Sequence, residues 1–281
     1  MPASTTISAV GAPAAPNWCT RSVSIRPGSS SYKNSHGNHQ VAFDDGSWGV
    51  EVASAVTSTR FEERDGSVVF TTILCDLDGT LVDSGRDIAE AFQLAVRLTT
   101  GKEGPAWQDI TRHIGKPLAI MAQDLGVALS AQQLPLFLER YRRHYATHNA
   151  RHTRPYAGVK ETLLKLPCSI GVVTTKQQDQ AESVLQRLAL AAYVHHIQGM
   201  TPGLRAKPAP DQLQLALEAL QCPPQQALMV GDTAADIQAG QAAGVRTCAV
   251  TYGFGKPEVL KALDPDYCID RFPDLLHIIA L

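Results

Sequence analysis

The run Val68-Val69-Phe70-Thr71-Thr72-Ile73-Leu74-Cys75, leading straight into Asp76-Leu77-Asp78-Gly79-Thr80, constrains this chain more than any other feature. An unbroken β-branched and apolar run has no polar face to offer water, so it reads as a strand buried on both sides, as in parallel sheets. Parallel neighbours cannot be joined by a tight turn and need a crossover, usually a helix. Beyond residue 168 the chain supplies these. It reads as strand 169–174, helix 177–189, helix 210–220, strand 227–230, helix 234–243 and strand 246–250. Strands alternating with helices of that length predict βαβ units and an α/β fold around a parallel sheet.

The text between the first strand and residue 168 is helical instead. Ser84, with Asp87 three residues on, makes a capping-box-like start, and Ile88, Ala91, Phe92, Ala95 and Val96 recur at helical spacing. Further helical text at 117–125 and 131–148 predicts a small helical subdomain inserted after the first strand. His144, His148 and His152, at i, i+4 and i+8, read as a polar stripe rather than a metal site, since no cysteine or Glu motif accompanies them.

Residues 1–43 are rich in Ser, Ala, Thr, Gly and Pro and hold no acid before Asp44, a composition that predicts an unfolded extension and also fits a transit peptide. Residues 44–69 alternate polar and apolar positions and read as a linker or hairpin. The expected site of action is the cytoplasm, or an organelle stroma or matrix if 1–43 is a transit peptide. With 25 Lys+Arg against 27 Asp+Glu there is no general electrostatic grip on nucleic acid, so no nucleic-acid partner is expected. No apolar run approaches the roughly 20 residues that cross a bilayer, so no membrane partner is expected either.

Four short motifs fall at predicted strand ends or helix starts, and ligands of open α/β sheets bind beyond the carboxyl ends of the strands. Asp76-x-Asp78-Gly79-Thr80 turns two carboxylates toward one point, a concentration of charge that calls for a divalent cation; hard oxygen ligands suit Mg²⁺. Thr174-Thr175-Lys176 offers a hydroxyl and backbone N–H groups to phosphate oxygens. Lys207-Pro208-x-Pro210 holds a compact positive charge on a restricted backbone. Gly231-Asp232-Thr233-Ala234-Ala235-Asp236 adds two more carboxylates for the metal.

Together, Asp76-Leu77-Asp78-Gly79-Thr80-Leu81, Thr174, Lys207-Pro208 and Gly231-Asp232-x-x-x-Asp236 resemble the four motifs of the haloacid dehalogenase superfamily over residues 70–281. Pro155-Tyr156-x-Gly158-Val159, Ile114-Gly115-x-Pro117-Leu118 and Asp266-Tyr267-x-Ile269-Asp270 are similar to its phosphoglycolate phosphatase branch. The resemblance implies a Rossmann-like core at 70–84 and 158–281 with a helical cap at 85–157. It implies a Mg²⁺-dependent phosphatase of a small phosphorylated metabolite, foremost 2-phosphoglycolate. Asp76 would be the nucleophile that forms an aspartyl-phosphate, and Asp78 the general acid and then base. Asp76, the Asp78 carbonyl and Asp232 would hold the metal, with Asp236 completing the shell directly or through water. Thr174, the Thr175 N–H and Lys207 would bind the phosphoryl oxygens.

Dehalogenases of the superfamily lack the second aspartate because a halide needs no proton, so Asp78 favours phosphate chemistry. Thr175 departs from the Asn common in the branch, and the backbone N–H survives that change. The cap would set the substrate, with Lys116 foremost, then His113 and Arg112; Arg140, Arg142 and Arg143 read as a solvated helix face. The open alternatives are a phosphomutase or inorganic pyrophosphatase on the same fold, and a non-catalytic phosphometabolite sensor.

Overall fold

The computed structural model describes residues 69–279 together with three short strands nearer the N-terminus. The chain divides into two units, 1–62 and 63–281. In the first, β1 (Ser31–Lys33), β2 (His39–Ala42) and β3 (Trp48–Gly49) pair antiparallel in that order. Two of these strands fall within the stretch expected to be unfolded, and the third falls where a hairpin was expected. The rest of 1–68 lies outside the described residues.

The second unit is built on β4 (Thr72–Cys75), β7 (Ser169–Gln177), β8 (His196–Met200), β9 (Ala227–Gly231), β10 (Arg246–Val250) and β11 (Tyr267–Ile269). The six strands form one sheet in the order β11-β10-β9-β4-β7-β8, every neighbouring pair parallel. β4 is central and buried throughout, as its unbroken apolar run requires. Strand alternation divides the packing between two faces. Ile73, Cys75, Leu228 and Val230 join the larger core, while Leu74, Ala227 and Met229 join a second core with Leu213 and Ala216. The fold is α/β and doubly wound. The edge strands β8 and β11 carry no unbroken apolar run because they are only partly buried, and for that reason the sequence pattern does not mark them.

The helical cap is inserted after β4. A two-stranded ribbon marks its base, where β5 (Val82–Asp83) pairs antiparallel with β6 (Arg154–Pro155). Between them run α1 (Gly85–Thr100), α2 (Trp107–Thr111), α3 (Leu118–Asp124) and α4 (Gln133–His148). The helical spacing of α1 buries Ile88, Ala91, Phe92, Ala95 and Val96, and the Phe92 ring meets Phe137 of α4 edge-on at 5.2 Å. Truncating such a buried ring to Ala costs about 3–5 kcal/mol.

The expected capping box at Ser84 and Asp87 does not form. Ser84 makes no side-chain cap and donates instead to Asp78 Oδ1 at 2.6 Å. Asp87 accepts from the Thr153 N–H at 2.9 Å and its hydroxyl at 2.6 Å, tying α1 to the chain that leaves α4. Tertiary partners outcompete the local cap because both carboxylates are buried and need strong donors. The histidine stripe also breaks, since α4 ends at His148 and leaves His152 beyond it.

Among the described residues no helix is long and apolar enough to cross a membrane. Helices α5 (Val159–Lys165), α6 (Gln178–Arg187), α7 (Asp211–Ala219), α8 (Ala234–Ala243), α9 (Pro257–Ala262) and α10 (Leu275–Ile279) follow the cap.

Candidate active site

β4 lies between β9 and β7, and the connections leaving β4 and β9 diverge, which opens a crevice beyond their carboxyl ends. Asp76 follows β4, and Asp232 follows β9. The Asp76 N–H donates to Val230 O at 2.9 Å, so the pairing of the two strands continues to the first carboxylate. Gly79 turns the chain at φ +95°, and a Cβ there would lie 2.2 Å from Asp232 Oδ2. Only glycine permits both the left-handed backbone and the approach of the second carboxylate.

Asp76, Asp232 and Asp236 are buried, and each offers a carboxylate oxygen within 4.8 Å of the others. Lys207 reaches in from the loop before α7. Its Nζ donates to Asp76 Oδ1 at 2.9 Å, Asp236 Oδ1 at 2.6 Å and Val173 O at 2.8 Å, which uses all three donors. Burial acts against the Lys207 charge, but Asp236 and Asp76 outweigh it and raise the pKa. Asp236 is held on its other oxygen by the Thr233 N–H at 2.9 Å and hydroxyl at 2.6 Å. Asp232 accepts from Thr80 Oγ1 at 2.9 Å and the Phe254 N–H at 2.8 Å, neither of them charged.

One ammonium does not balance this cluster. Burial, with the charges of Asp236 and Asp78, pushes the Asp76 carboxyl up to about 7 against the pull of Lys207. Burial, then Asp236 and Asp76, hold Asp232 well above the ordinary carboxylate range. A cluster of this kind could hold a cation. The three carboxylates converge as a hard oxygen site for a divalent metal, and both oxygens of Asp236 already carry donors.

Asp78 belongs to a different environment. Oδ1 accepts from Ser84, and Oδ2 lies 3.0 Å from Lys176 Nζ in a buried ion pair. The same Nζ donates to Tyr145 Oη at 3.0 Å and lies 4.3 Å from the centre of that ring. Tyr145 belongs to the cap helix α4, stacked on Tyr141 at 5.5 Å, so Lys176 ties core to cap at Asp78. Neither spacing nor composition marks Lys176. The signal available was alternation along β7, which puts Lys176 on the side of Thr174.

The profile of the haloacid dehalogenase-like hydrolase family matches residues 73–250, which hold the four aspartates and both lysines of this crevice. The chain belongs to that family. It is 32% identical over 214 residues to a pyrophosphatase PpaX of Halalkalibacterium halodurans, covering 75% of this chain and 97% of the relative. It is also 32% identical over 209 residues to a phosphoglycolate phosphatase of Aquifex aeolicus, covering 73% and 95%. Among solved structures, a haloacid dehalogenase-like hydrolase of Streptococcus pneumoniae superposes with a TM-score of 0.67 at 28% identity, covering 74% of this chain and 97% of that one. The chain is thus an enzyme of the phosphatase kind within the haloacid dehalogenase-like hydrolases.

In this hydrolase the expected phosphate-binding residues part company. Strand β7 runs to Gln177, with its register against β8 shifting between Val173 and Gln177. Thr174 and Thr175 therefore lie on an irregular strand end that runs on beyond the expected Thr174, and the chain turns into a helix only at Gln178. Thr174 is buried, and its hydroxyl accepts from the Lys176 N–H at 3.2 Å. The Thr175 hydroxyl donates to Gly115 O in the cap at 3.0 Å, a second core-to-cap tie at the position where the branch commonly carries Asn.

The cap candidates separate in the same way. Lys116 lines a cavity of about 190 Å³ that also contains Asp78 and Lys176, but its Nζ pairs with Asp124 at 2.6 Å. His113 leans on the same Asp124 at 3.6 Å. Arg112 pairs with Asp109 at 2.9 Å on the surface and does not line the cavity. Arg140 donates to Leu98 O, Arg143 pairs with Glu139, and Arg142 lines the cavity. A larger cavity of about 760 Å³, lined by Trp107, Tyr156 and Tyr252, holds none of the clustered carboxylates.

Proposed function

We propose that this hydrolase is a Mg²⁺-dependent phosphatase that cleaves a small phosphorylated metabolite, foremost 2-phosphoglycolate, through an aspartyl-phosphate on Asp76. The observation that carries the reading is the pairing of two unlike aspartates two residues apart. Asp76 sits in the carboxylate cluster with Lys207, and Asp78 sits beside Ser84 and Lys176 outside it. Asp76 thus shares its surroundings with two further carboxylates and Lys207, whereas Asp78 is held by the Ser84 hydroxyl and the Lys176 ammonium, and these unlike surroundings support unlike roles, nucleophile and acid/base.

Asp76, Asp232 and the backbone carbonyl of Asp78 would hold Mg²⁺, with Asp236 completing the set directly or through water. When bound, the ion offsets the charge that otherwise keeps carboxylate and phosphate apart. Asp76 attacks phosphorus in line and the bond to the leaving oxygen breaks. Asp78 gives that oxygen its proton and then takes one from the water that hydrolyses the acyl-phosphate. The Thr174 hydroxyl and the Thr175 N–H bind the transferring phosphoryl oxygens, joined by Lys207 once it exchanges one of its three protein contacts for the phosphate. The small cavity beside Asp78 favours a short leaving group, being below the roughly 300–1,000 Å³ of drug-sized sites.

Phosphate release from a panel of phosphorylated metabolites and pyrophosphate, with Mg²⁺ and with EDTA, tests the reading. Dominant Mg²⁺-dependent turnover of 2-phosphoglycolate supports it, and a protein inactive on every compound refutes it. Pyrophosphate is the second reading, favoured by relatives named pyrophosphatase at comparable identity. A fluorescent fusion of the full chain distinguishes a cytoplasmic place of action from an organelle one.

A further inference from the structure

His144, His148 and His152 read as a polar stripe because no Glu motif accompanies them in sequence. The fold supplies the missing acids from α1. Asp87 and Glu90 lie three residues apart on one face of that helix, and the chain leaving α4 brings His152 against them. Asp87, Glu90 and His152 each offer a ligand atom within 4.8 Å of the others. The group shares no residue with the Asp76 cluster and lies close in sequence to both strands of the β5–β6 ribbon.

The ring of His152 is an independent sign of a ligand. Its Nε2 is shut off from solvent and has no hydrogen-bond partner among the described residues, a costly state for a polar atom. Glu90 Oε1, at 3.6 Å, is too distant for a hydrogen bond. That separation is instead close to the roughly 3.3–3.5 Å between two ligands of a tetrahedral ion with metal–ligand distances of about 2.0–2.1 Å.

The surroundings hold two of the three ligands in place. The His152 N–H donates to both oxygens of Asp87 at 3.0 Å. Asp87 Oδ2 also accepts from the Thr153 N–H and hydroxyl, so Oδ1, less occupied, is the oxygen available to an ion. Glu90 accepts from Arg86 Nε at 3.0 Å, an exposed pair that opens by a swing of Arg86 into solvent. Glu90 also lines the 760 Å³ cavity, which gives an ion its way in.

We infer that Asp87, Glu90 and His152 form a second metal site, for a first-row divalent ion that accepts imidazole, Zn²⁺ foremost. Two carboxylates and a neutral imidazole suit such an ion, whereas Mg²⁺ takes oxygen ligands. Water entering past Glu90 completes the shell. The ion joins the start of α1 to the segment that returns from α4, and so clamps the two chain crossings at the base of the cap. Which phosphate ester the enzyme cleaves has no bearing on this site.

The test is calorimetric titration of Zn²⁺ into the full chain, stripped beforehand with EDTA and dialysed, in wild type, His152→Gln, Glu90→Gln and Asp232→Asn. Wild type is expected to take up one more ion per chain than His152→Gln. Glu90→Gln is expected to hold that ion about 100-fold more weakly or worse, since loss of an outer-shell partner alone costs roughly 10- to 100-fold. Asp232→Asn alters the strand-end cluster and is expected to keep the ion. Thermal unfolding gives a second readout: Zn²⁺ should raise Tm in wild type and in Asp232→Asn by more than in His152→Gln or Glu90→Gln. Equal stoichiometry and affinity in wild type, His152→Gln and Glu90→Gln overturn the site and leave His152 and Glu90 as an ion pair alone. Loss of all Zn²⁺ uptake in Asp232→Asn overturns it too, because the strand-end cluster then accounts for the binding. Should His152→Gln fail to fold, Glu90→Gln, at a partly exposed position, decides by the same comparison.

Discussion

The carboxyl ends of β4 and β9 and the cap turn around Lys116 both concentrate charge, and they do so in opposite ways. At the strand ends Asp76, Asp232 and Asp236 are buried with one ammonium between them, and two of the carboxyls are driven upward in pKa. At the cap turn Lys116, Arg112 and His113 keep partial contact with water and answer to Asp124 and Asp109. Charge without a full set of partners costs stability and is available to a ligand; charge already answered at a surface contributes little. The strand ends are therefore where the proposed chemistry belongs, and the cap turn is already neutralised by its own partners.

The largest effect that sharpens this contrast is Asp76→Asn, an equal-sized change expected to lower kcat roughly 10⁴-fold or more while the thermal unfolding profile persists. Substantial turnover would move the nucleophile elsewhere. Lys207→Met comes next. It leaves Asp76 and Asp236 without their shared cation, and chemical denaturation is expected to show a loss of about 3–5 kcal/mol.

The third prediction concerns pH in protein stripped of metal. The Asp76 pKa is raised from 3.8 to about 7, so between those values the folded state binds more protons than the unfolded state. Stability from this group is full below the lower value and is lost as pH rises through the upper one. Scanning calorimetry with EDTA should give a lower Tm at about pH 8 than at about pH 5, and Mg²⁺ should raise Tm more at the higher pH. An equal Mg²⁺ effect at both would mean that the cluster is not the metal's seat.

Thr175→Val removes only the hydroxyl that meets Gly115 O, and a cost of about 1 kcal/mol, read as a several-fold change in kcat/KM, is expected. The smallest effect belongs to Arg112→Gln, which breaks an exposed pair with Asp109 and should leave kcat/KM and Tm at wild-type values. A strong loss there would return the substrate contact to the cap turn and break the comparison.

The amino-acid sequence by itself determined the central strand, the crossovers and the residues at the strand ends. Each of these is a local property. An unbroken apolar run declares burial on both faces, helical spacing declares a helix, and Gly79 declares a turn. The aspartates at 76, 78, 232 and 236 were legible because strand-end position in a parallel sheet already limits where their side chains can go, and Lys207 because Pro208 and Pro210 restrict the backbone just ahead of a helix start.

Only the tertiary structure decided which partner each of them takes. Ser84 left its expected cap for Asp78, and Asp87 left the same cap for Thr153. Lys116 was drawn off to Asp124. Lys176, present in the Thr174-Thr175-Lys176 motif without a side-chain role of its own, became the ion-pair partner of Asp78 under a cap tyrosine 31 residues away in sequence. Such choices depend on which donors and acceptors are brought together away from water, where an unanswered polar group is expensive. Sequence spacing carries no record of that competition.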